Sequence, residues 1–155
     1  MDRGYKSRVR LLDHGSLELS QIKPSDEGWY ECKIILLDGK EDSSVNGSWV
    51  HLNVNTPPRI EHSSPKFLLL RQGDSVSLFC DGVGSPQPTI SWSKDTQPLF
   101  SSLRVRLQGD HVNITNIQRS DGGVYMCTFT NMVGQISQLI KVVIEDEFQA
   151  HKSGM

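Results

Sequence analysis

A seven-residue pattern occurs twice in this chain of 155 residues and limits the folds open to it. Asp26 to Cys32 reads D-x-G-x-Y-x-C, and Asp121 to Cys127 reads the same at an offset of 95 residues. This spacing is too long for a solenoid repeat of about 20 to 50 residues, but it suits a tandem of β-sandwich domains of about 100 residues. The repeat therefore predicts two domains of one kind.

Composition and charge narrow the classes of function. Hydrophobic residues make up 36% of the chain and charged residues 22%, a balance typical of folded proteins rather than disordered ones. The formal charge of −2 provides no broad positive field for nucleic acid or anionic lipid. No apolar run approaches the length of about 20 residues that crosses a bilayer. We therefore expect no nucleic-acid partner and no direct membrane insertion of this chain.

Apolar residues alternate with polar ones through the second copy, which is typical of β-strands. No helical period competes with this alternation. The sequence therefore predicts an all-β fold in which every second residue of a strand faces a core. The predicted inward-facing residues are Val76, Leu78, Cys80, Ile90, Trp92, Val112, Ile114, Tyr125, Cys127, Phe129, Ile140, Val142 and Ile144.

Residues 57 to 145 resemble a complete I-type immunoglobulin domain, a sandwich of two β-sheets. Cys80 lies 12 residues before Trp92 and 47 before Cys127, and Tyr125 stands two residues before the second cysteine. The resemblance implies a disulfide between the two cysteines, packed against Trp92 as the core tryptophan. It also implies that Tyr125 forms a tyrosine corner, in which its hydroxyl bonds to nearby backbone. A metal or redox pair is disfavoured because no C-x-x-C spacing accompanies these cysteines.

The first copy resembles only the second half, strands D to G, of such a domain. Tyr30 matches the tyrosine corner, but no upstream segment supplies a partner for Cys32 or a packing tryptophan. We expect Cys32 to be unpaired because its partner lies outside this sequence; a reactive thiol and an intermolecular link are the alternatives. The predicted organisation is a truncated domain, a proline linker, a complete I-set-like domain and a tail, at residues 1–55, 56–58, 59–145 and 146–155.

A closer resemblance lies in Gly28 to Cys32 followed by Asn46 to Pro58. These segments are similar to the junction of the first two immunoglobulin domains in the Turtle family of neuronal adhesion proteins, and the likeness covers residues 8–60. The resemblance implies a fragment or isoform of an adhesion receptor that acts in synapse or axon recognition. Its partners would be other immunoglobulin-superfamily ectodomains, homophilic or heterophilic. The alternative is an intracellular structural module of a giant muscle protein.

Two asparagines bear on where the protein resides. Asn46 and Asn113 each begin an N-x-S/T glycosylation acceptor, which a secreted or cell-surface parent protein would use. The first residues lack the apolar segment of a secretory signal, and no transmembrane span is predicted. We therefore expect an extracellular or cell-surface parent and leave the export of this chain open. The acceptors and the cysteine pair also argue against the muscle-protein alternative.

The sequence does not predict an enzyme, a cofactor, a metal site or a small-molecule substrate. Asp13-His14 and Asp110-His111 recur in both copies, but they lie in predicted turns and no nucleophile is placed beside them. Asp26 and Asp121 precede the tyrosine corners, where arginines commonly bridge to them. Arg8 and Arg104 are the expected donors, with Arg10 and Arg106 as rivals.

Alternation through the first copy places three large apolar residues on the outer face of one sheet. These candidates for a protein interface are Trp29, Ile35 and Trp49. Interface cores are rich in tryptophan and depleted of charge, which favours a contact surface. Single exposed apolar residues are also common, and a missing strand or the second domain could cover them. The sequence thus predicts a recognition surface here and leaves a purely structural role as its alternative.

Overall fold

The structure is a computed structural model that describes residues 4–34 and 47–145. The chain divides into two compact units, one ending at Asn55 and the other beginning at Thr56. Three predicted features, Ile35, Asn46 and the tail at 146–155, lie outside the described residues. The all-β prediction is confirmed, since strands dominate both units and the helical segments described are short 3-10 turns.

The first unit consists of two antiparallel pairs of strands. Strands β1 (Val9–Leu11) and β2 (Leu17–Leu19) form one pair, and β3 (Gly28–Cys32) and β4 (Ser48–Leu52) form the other. A 3-10 turn at Pro24–Asp26 precedes β3. The described part of this unit therefore presents two short ribbons rather than two full sheets.

The second unit is a sandwich of a four-stranded and a five-stranded sheet. Its strands are β5 (Thr56–Ser63), β6 (Phe67–Arg71), β7 (Val76–Ser85), β8 (Thr89–Lys94), β9 (Gln97–Pro98), β10 (Val105–Gln108), β11 (His111–Ile114), β12 (Gly123–Thr130) and β13 (Gln135–Glu145). One sheet has the order β10-β11-β7-β5 and the other the order β6-β13-β12-β8-β9. All neighbours are antiparallel except β13 and β6, which run parallel. This arrangement is an immunoglobulin-like sandwich.

The core of the second unit lies between its two sheets. Cys80 on β7 and Cys127 on β12 form a disulfide that joins them, and both residues are fully buried. Trp92 lies directly opposite Cys127 on the neighbouring strand, and its indole N–H donates to the Gly109 carbonyl at 3.1 Å. The buried apolar residues of this core are Leu78, Val112, Ile114, Ile117, Tyr125, Phe129, Ile140 and Val142.

Gly82 in strand β7 shows how closely the two sheets approach. A Cβ atom at this position would lie 2.6 Å from ring carbons of Phe129, far inside van der Waals contact. The Phe129 ring occupies the space that any side chain at residue 82 would need. The glycine therefore permits close packing of the sheets, and its place in the Gly82-Val83-Gly84 segment is structural.

Residues 56–58, predicted as a linker, lie within the first strand of the second unit. Thr56 is opposite Ser85, and the Ser85 amide donates to the Thr56 hydroxyl at 3.0 Å. The register shifts between Thr56 and Arg59, where Pro57 and Pro58 lack the N–H groups that a regular ladder needs. An irregular strand thus accommodates the two prolines, so this segment differs from the predicted extended spacer.

Matching positions in the two units differ sharply in burial. Leu17 is 59% exposed, whereas Val112, its counterpart in the repeat, is completely buried. Val50, which alternation predicts to face inward, is 64% exposed. Each sheet described in the first unit has only two strands, whereas β11, which carries Val112, is flanked on both sides by β10 and β7. The exposure of Leu17 and Val50 therefore accompanies narrow sheets and not a different local structure.

We predict that amide exchange in the full chain separates the two units. The amides of Trp92 and Cys127, at the centre of a sandwich, should exchange at least about tenfold more slowly than those of Tyr30 and Val50 in a two-stranded ribbon. Exchange measured residue by residue with NMR tests this. Equal protection in both units would contradict it.

A second prediction concerns the disulfide, which closes a separation of 47 residues. Replacing both cysteines, Cys80→Ala with Cys127→Ala, should lower the free energy of unfolding by about 2 to 5 kcal/mol, because the unfolded chain regains freedom. Denaturant titration followed by circular dichroism measures the loss. The matched control, Cys32→Ser, removes an exposed thiol and should leave the transition of the second unit unchanged.

Candidate recognition surface

An arginine–aspartate ion pair anchors the segment that leads into strand β3. Arg8 donates from both terminal nitrogens to the two oxygens of Asp26, at 2.7 and 2.8 Å, and both side chains are buried. The amide of Lys23 adds a third hydrogen bond to this carboxylate at 2.8 Å. Tyr30 then donates its hydroxyl to the Asp26 carbonyl. These bonds fix the turn at Pro24–Asp26 and the start of the strand that carries Trp29.

The second unit repeats this arrangement before strand β12. Arg104 donates to both oxygens of Asp121 at 2.7 and 3.1 Å, and the Gln118 amide donates to the same carboxylate at 2.7 Å. The Tyr125 hydroxyl donates to the Asp121 carbonyl at 2.7 Å. Arg10, the rival donor in the first unit, pairs instead with Glu18 on the surface. Arg8 and Arg104 are therefore the donors to the two carboxylates, with Arg8 buried and Arg104 half-buried.

The pKa values of the aspartates and tyrosines in both corners are shifted from their ordinary values. The hydrogen bond from Arg8 holds the pKa of Asp26 well below its ordinary value. Burial opposes ionisation of Asp121, but the hydrogen bonds from Arg104 and from the Gln118 amide outweigh it, so its pKa is also lowered. Burial raises the pKa values of Tyr30 and Tyr125. Both corners are thus built from an ionised carboxylate and a neutral phenol, and their role is structural.

Strands β3 and β4 present Trp29 and Trp49 on one face of their ribbon. Trp29 is opposite His51, with ring centroids 4.7 Å apart and planes tilted by 57°. Trp49 is opposite Glu31. The indoles are 67% and 57% exposed. We call Trp29, Trp49 and His51 the tryptophan surface.

The described residues of this surface are not the same set as the predicted interface residues. Glu31 lies directly opposite Trp49, and Ile35, the third predicted residue, lies outside the described residues, so its place on this face stays a prediction. His51 is not among the predicted interface residues. Its contact with Trp29 depends on the register of the hairpin, and alternation within a single strand does not determine that register.

The remaining predicted residues lie apart from the tryptophan surface. Cys32 is an exposed free cysteine at the end of β3, beside Ser48 of β4. Asn113 is half-buried on β11 in the second unit, whereas Asn46 lies outside the described residues. Trp92 is a core residue. Among the described residues, no helix is long and apolar enough to cross a membrane.

Asp110 lies in the turn between β10 and β11, and His111 is the first residue of β11. Oδ1 of Asp110 lies 2.7 Å from Nδ1 of His111, and this hydrogen bond lowers the pKa of Asp110. The imidazole stacks on Phe79, with ring centroids 5.9 Å apart. These contacts hold the ring against the neighbouring strand and account for the pair without a chemical reaction.

One group of described residues brings together side chains of types that bind metals. Ligand atoms of Glu61, His62 and Asp81 lie within 4.8 Å of one another, and all three side chains are exposed. Arg59 donates to the Glu61 carboxylate at 2.8 Å, and His62 lies 3.5 Å from Asp81. Pairing with neighbouring charges accounts for this group, and we assign no metal to it.

Comparison with known proteins identifies the family. The family model of the Immunoglobulin I-set domain matches residues 58–144, more than half of the chain. The chain belongs to the immunoglobulin I-set family. The match begins at the second proline of β5 and ends one residue before the end of β13, so it includes all or most of every strand of the second unit.

Individual relatives extend the likeness across both units. Protein turtle of Drosophila melanogaster is 36% identical over 152 residues, covering 93% of this chain and 10% of that protein. Protein turtle homolog B of Mus musculus is 32% identical over 145 residues, covering 94% and 11%. The predicted resemblance to the Turtle family is thus confirmed, and the chain spans about a tenth of these relatives.

A solved structure is similar to most of this chain. The insect immune protein hemolin is 27% identical, with a TM-score of 0.64, over 89% of this chain and 35% of the hemolin chain. The match covers more of this chain than one domain occupies. It supports reading both units as immunoglobulin-like.

We predict that the Arg104–Asp121 pair makes the free energy of unfolding depend on pH in the acidic range. In the folded state the pKa of Asp121 lies below its usual value of 3.8. The ionised carboxylate therefore makes its full contribution to the free energy of unfolding above pH 3.8, and this contribution is lost as the pH falls through the pKa of the folded state. Asp121→Asn should cost about 1 to 3 kcal/mol at neutral pH and should flatten the fall in stability below pH 3.8.

Thermal unfolding of both proteins between neutral and acidic pH tests this prediction. Glu145→Gln is the matched control, since it removes the carboxylate of an arginine ion pair that is exposed, with Arg71 3.0 Å away. An unchanged acid profile in Asp121→Asn would show that the ion pair does not govern the acid response.

Proposed function

We propose that this chain is a non-enzymatic recognition segment of a cell-surface adhesion receptor of the immunoglobulin superfamily, acting in neuronal adhesion such as synapse or axon recognition. The observation that carries the proposal is the tryptophan surface, in a chain whose relatives are Turtle proteins. Its partners are other immunoglobulin-superfamily ectodomains. The chain spans about a tenth of the length of its Turtle relatives. The proposed functional unit is therefore a longer receptor of that kind.

The chemistry of the tryptophan surface suits a protein partner. Trp29 and Trp49 are diagonal neighbours across the ribbon, so their rings offer one apolar area with little conformational freedom to lose on binding. The charged residues Glu31 and Lys33 lie beside it, 3.6 Å apart. An apolar centre bordered by charged groups is the usual anatomy of an interface.

The disulfide supports a location outside the cytosol. Cytosolic thiols are kept reduced, whereas disulfides persist in secreted and cell-surface proteins. The Cys80–Cys127 bond is buried in the core of the second unit. A domain that depends on such a bond folds in an oxidising compartment, where the bond can form. This favours a receptor ectodomain over an intracellular muscle module.

Homophilic binding is one form that the partner can take. The domain arrangement of hemolin has implications for homophilic adhesion by that protein. In this chain, two copies of the tryptophan surface are compatible in chemistry, because the exposed indoles of Trp29 and Trp49 carry no charge. A heterophilic immunoglobulin partner is the other outcome of the experiment below.

We predict that Trp49→Ala, in a full ectodomain that contains this chain, weakens binding by about 1 to 3 kcal/mol, because a large rigid ring is lost from the contact. Aggregation of cells displaying the ectodomain measures the effect, with one population for homophilic binding and mixed populations for heterophilic binding. Trp29→Ala should act in the same direction.

Phe100→Ala is the matched control, since Phe100 is a large exposed apolar residue elsewhere in the chain and should not alter adhesion. Thermal unfolding of each ectodomain checks folding. Unchanged adhesion in Trp49→Ala would remove the surface from the interface. A lowered melting temperature with unchanged adhesion would assign Trp49 a packing role instead.

A further inference from the structure

Asn113 is a half-buried residue on the outer face of the four-stranded sheet. Its neighbours in the strand, Val112 and Ile114, are buried, so alternation directs the Asn113 side chain away from the core. Arg106 and Ser77 lie opposite it on the two adjacent strands, and both are exposed. A large group attached at Asn113 would therefore extend into solvent without displacing apolar contacts.

The two functional groups of the acceptor Asn113-Ile114-Thr115 are also accessible. The Asn113 amide nitrogen donates to Gln108 Oε1 at 3.3 Å in an exposed hydrogen bond. Thr115 follows the last residue of β11, and its hydroxyl makes a long 3.5 Å contact with the Arg104 carbonyl. The acceptor thus spans the end of a four-residue strand rather than the middle of a long one.

We propose that Asn113 carries an N-linked glycan that covers the outer face of sheet β10-β11-β7-β5. The proposal rests on the proposed function, which places the chain in the secretory pathway. The donor is an oligosaccharide linked to a polyprenyl diphosphate. A bond forms between Asn113 Nδ2 and C1 of the first sugar, the bond from C1 to the diphosphate oxygen breaks, and the amide nitrogen loses one proton.

The glycan gives the two outer faces of the second unit different roles. The face around Asn113 is polar, with Ser77, Arg106 and Gln108 close to it. A glycan there excludes protein partners from this sheet. The outer face of the other sheet keeps exposed apolar residues, including Phe67 and Leu139, and holds no asparagine of an acceptor.

The test uses the full chain behind a secretory leader in mammalian cells, with Asn46→Gln to leave one acceptor. Chain with an oxidised Cys80–Cys127 bond is collected from medium and cells, treated with a glycan-removing amidase in ¹⁸O-water, and mapped by mass spectrometry. We expect the Asn113 peptide to be converted to an ¹⁸O-labelled aspartate in most molecules. An unmodified Asn113 in this oxidised pool would overturn the proposal.

Matched variants define the acceptor. Asn113→Gln and Thr115→Ala should each lose the mobility shift of one glycan, whereas Thr115→Ser keeps the hydroxyl and should retain it. Asn116→Gln alters a neighbouring asparagine outside any acceptor and should also retain it. Retention of the shift in Thr115→Ala would place the modification elsewhere. The adhesion assay and the glycan mapping fail independently. Unchanged adhesion in Trp49→Ala would refute the proposed partner surface, but it would not alter the measured occupancy of Asn113.

Discussion

The buried carboxylate before each tyrosine corner is the interaction on which both units depend. Asp26 accepts hydrogen bonds from Arg8 and from the backbone, and its own carbonyl accepts from Tyr30. One residue therefore ties a strand, a turn and a second strand together. Because a carboxylate left without these donors would carry a large desolvation cost, the segment leading into β3 has one favourable arrangement. That arrangement sets which side chains of β3 face outward.

The two copies show how far the sequence pattern determines structure when the sheets are narrow. Both copies form the same turn, the same ion pair and the same hydrogen bond from tyrosine to backbone. The tyrosine bond spans four residues and the ion pair spans 18 residues in the first copy and 17 in the second, and both bonds form in the first unit, whose sheets have two strands each. Burial is different, since Cys127 is fully enclosed while Cys32 at the matching position is exposed. The polar bonds around the tyrosine thus form even between narrow sheets, whereas the apolar core requires sheets of full width.

The same distinction explains which features could be predicted from sequence. The spacing of Cys80, Trp92 and Cys127 resembles that of an immunoglobulin domain, and the resemblance implies the disulfide and the packing tryptophan that the structure contains. The pattern alone could not decide between Arg8 and Arg10, since both lie on the segment that passes the carboxylate. The partner of Trp49 was also beyond sequence reasoning, because hairpin register depends on a loop whose geometry alternation does not encode. The prolines at 57 and 58 predicted a spacer, but an irregular strand tolerates them where no N–H is required.

Exposed apolar residues in the first unit fall into two groups with different meanings. Val50 and Leu17 occupy positions that face inward in the repeat, so full-width sheets like those of the second unit would bury them. Trp29 and Trp49 point the opposite way, because Tyr30 and Val50, their neighbours in the strands, are opposite each other on the inner face. Completing a sandwich would therefore remove the first group from water and leave the tryptophans outside. An apolar surface that remains exposed after the fold is complete is the part of the molecule available to a partner.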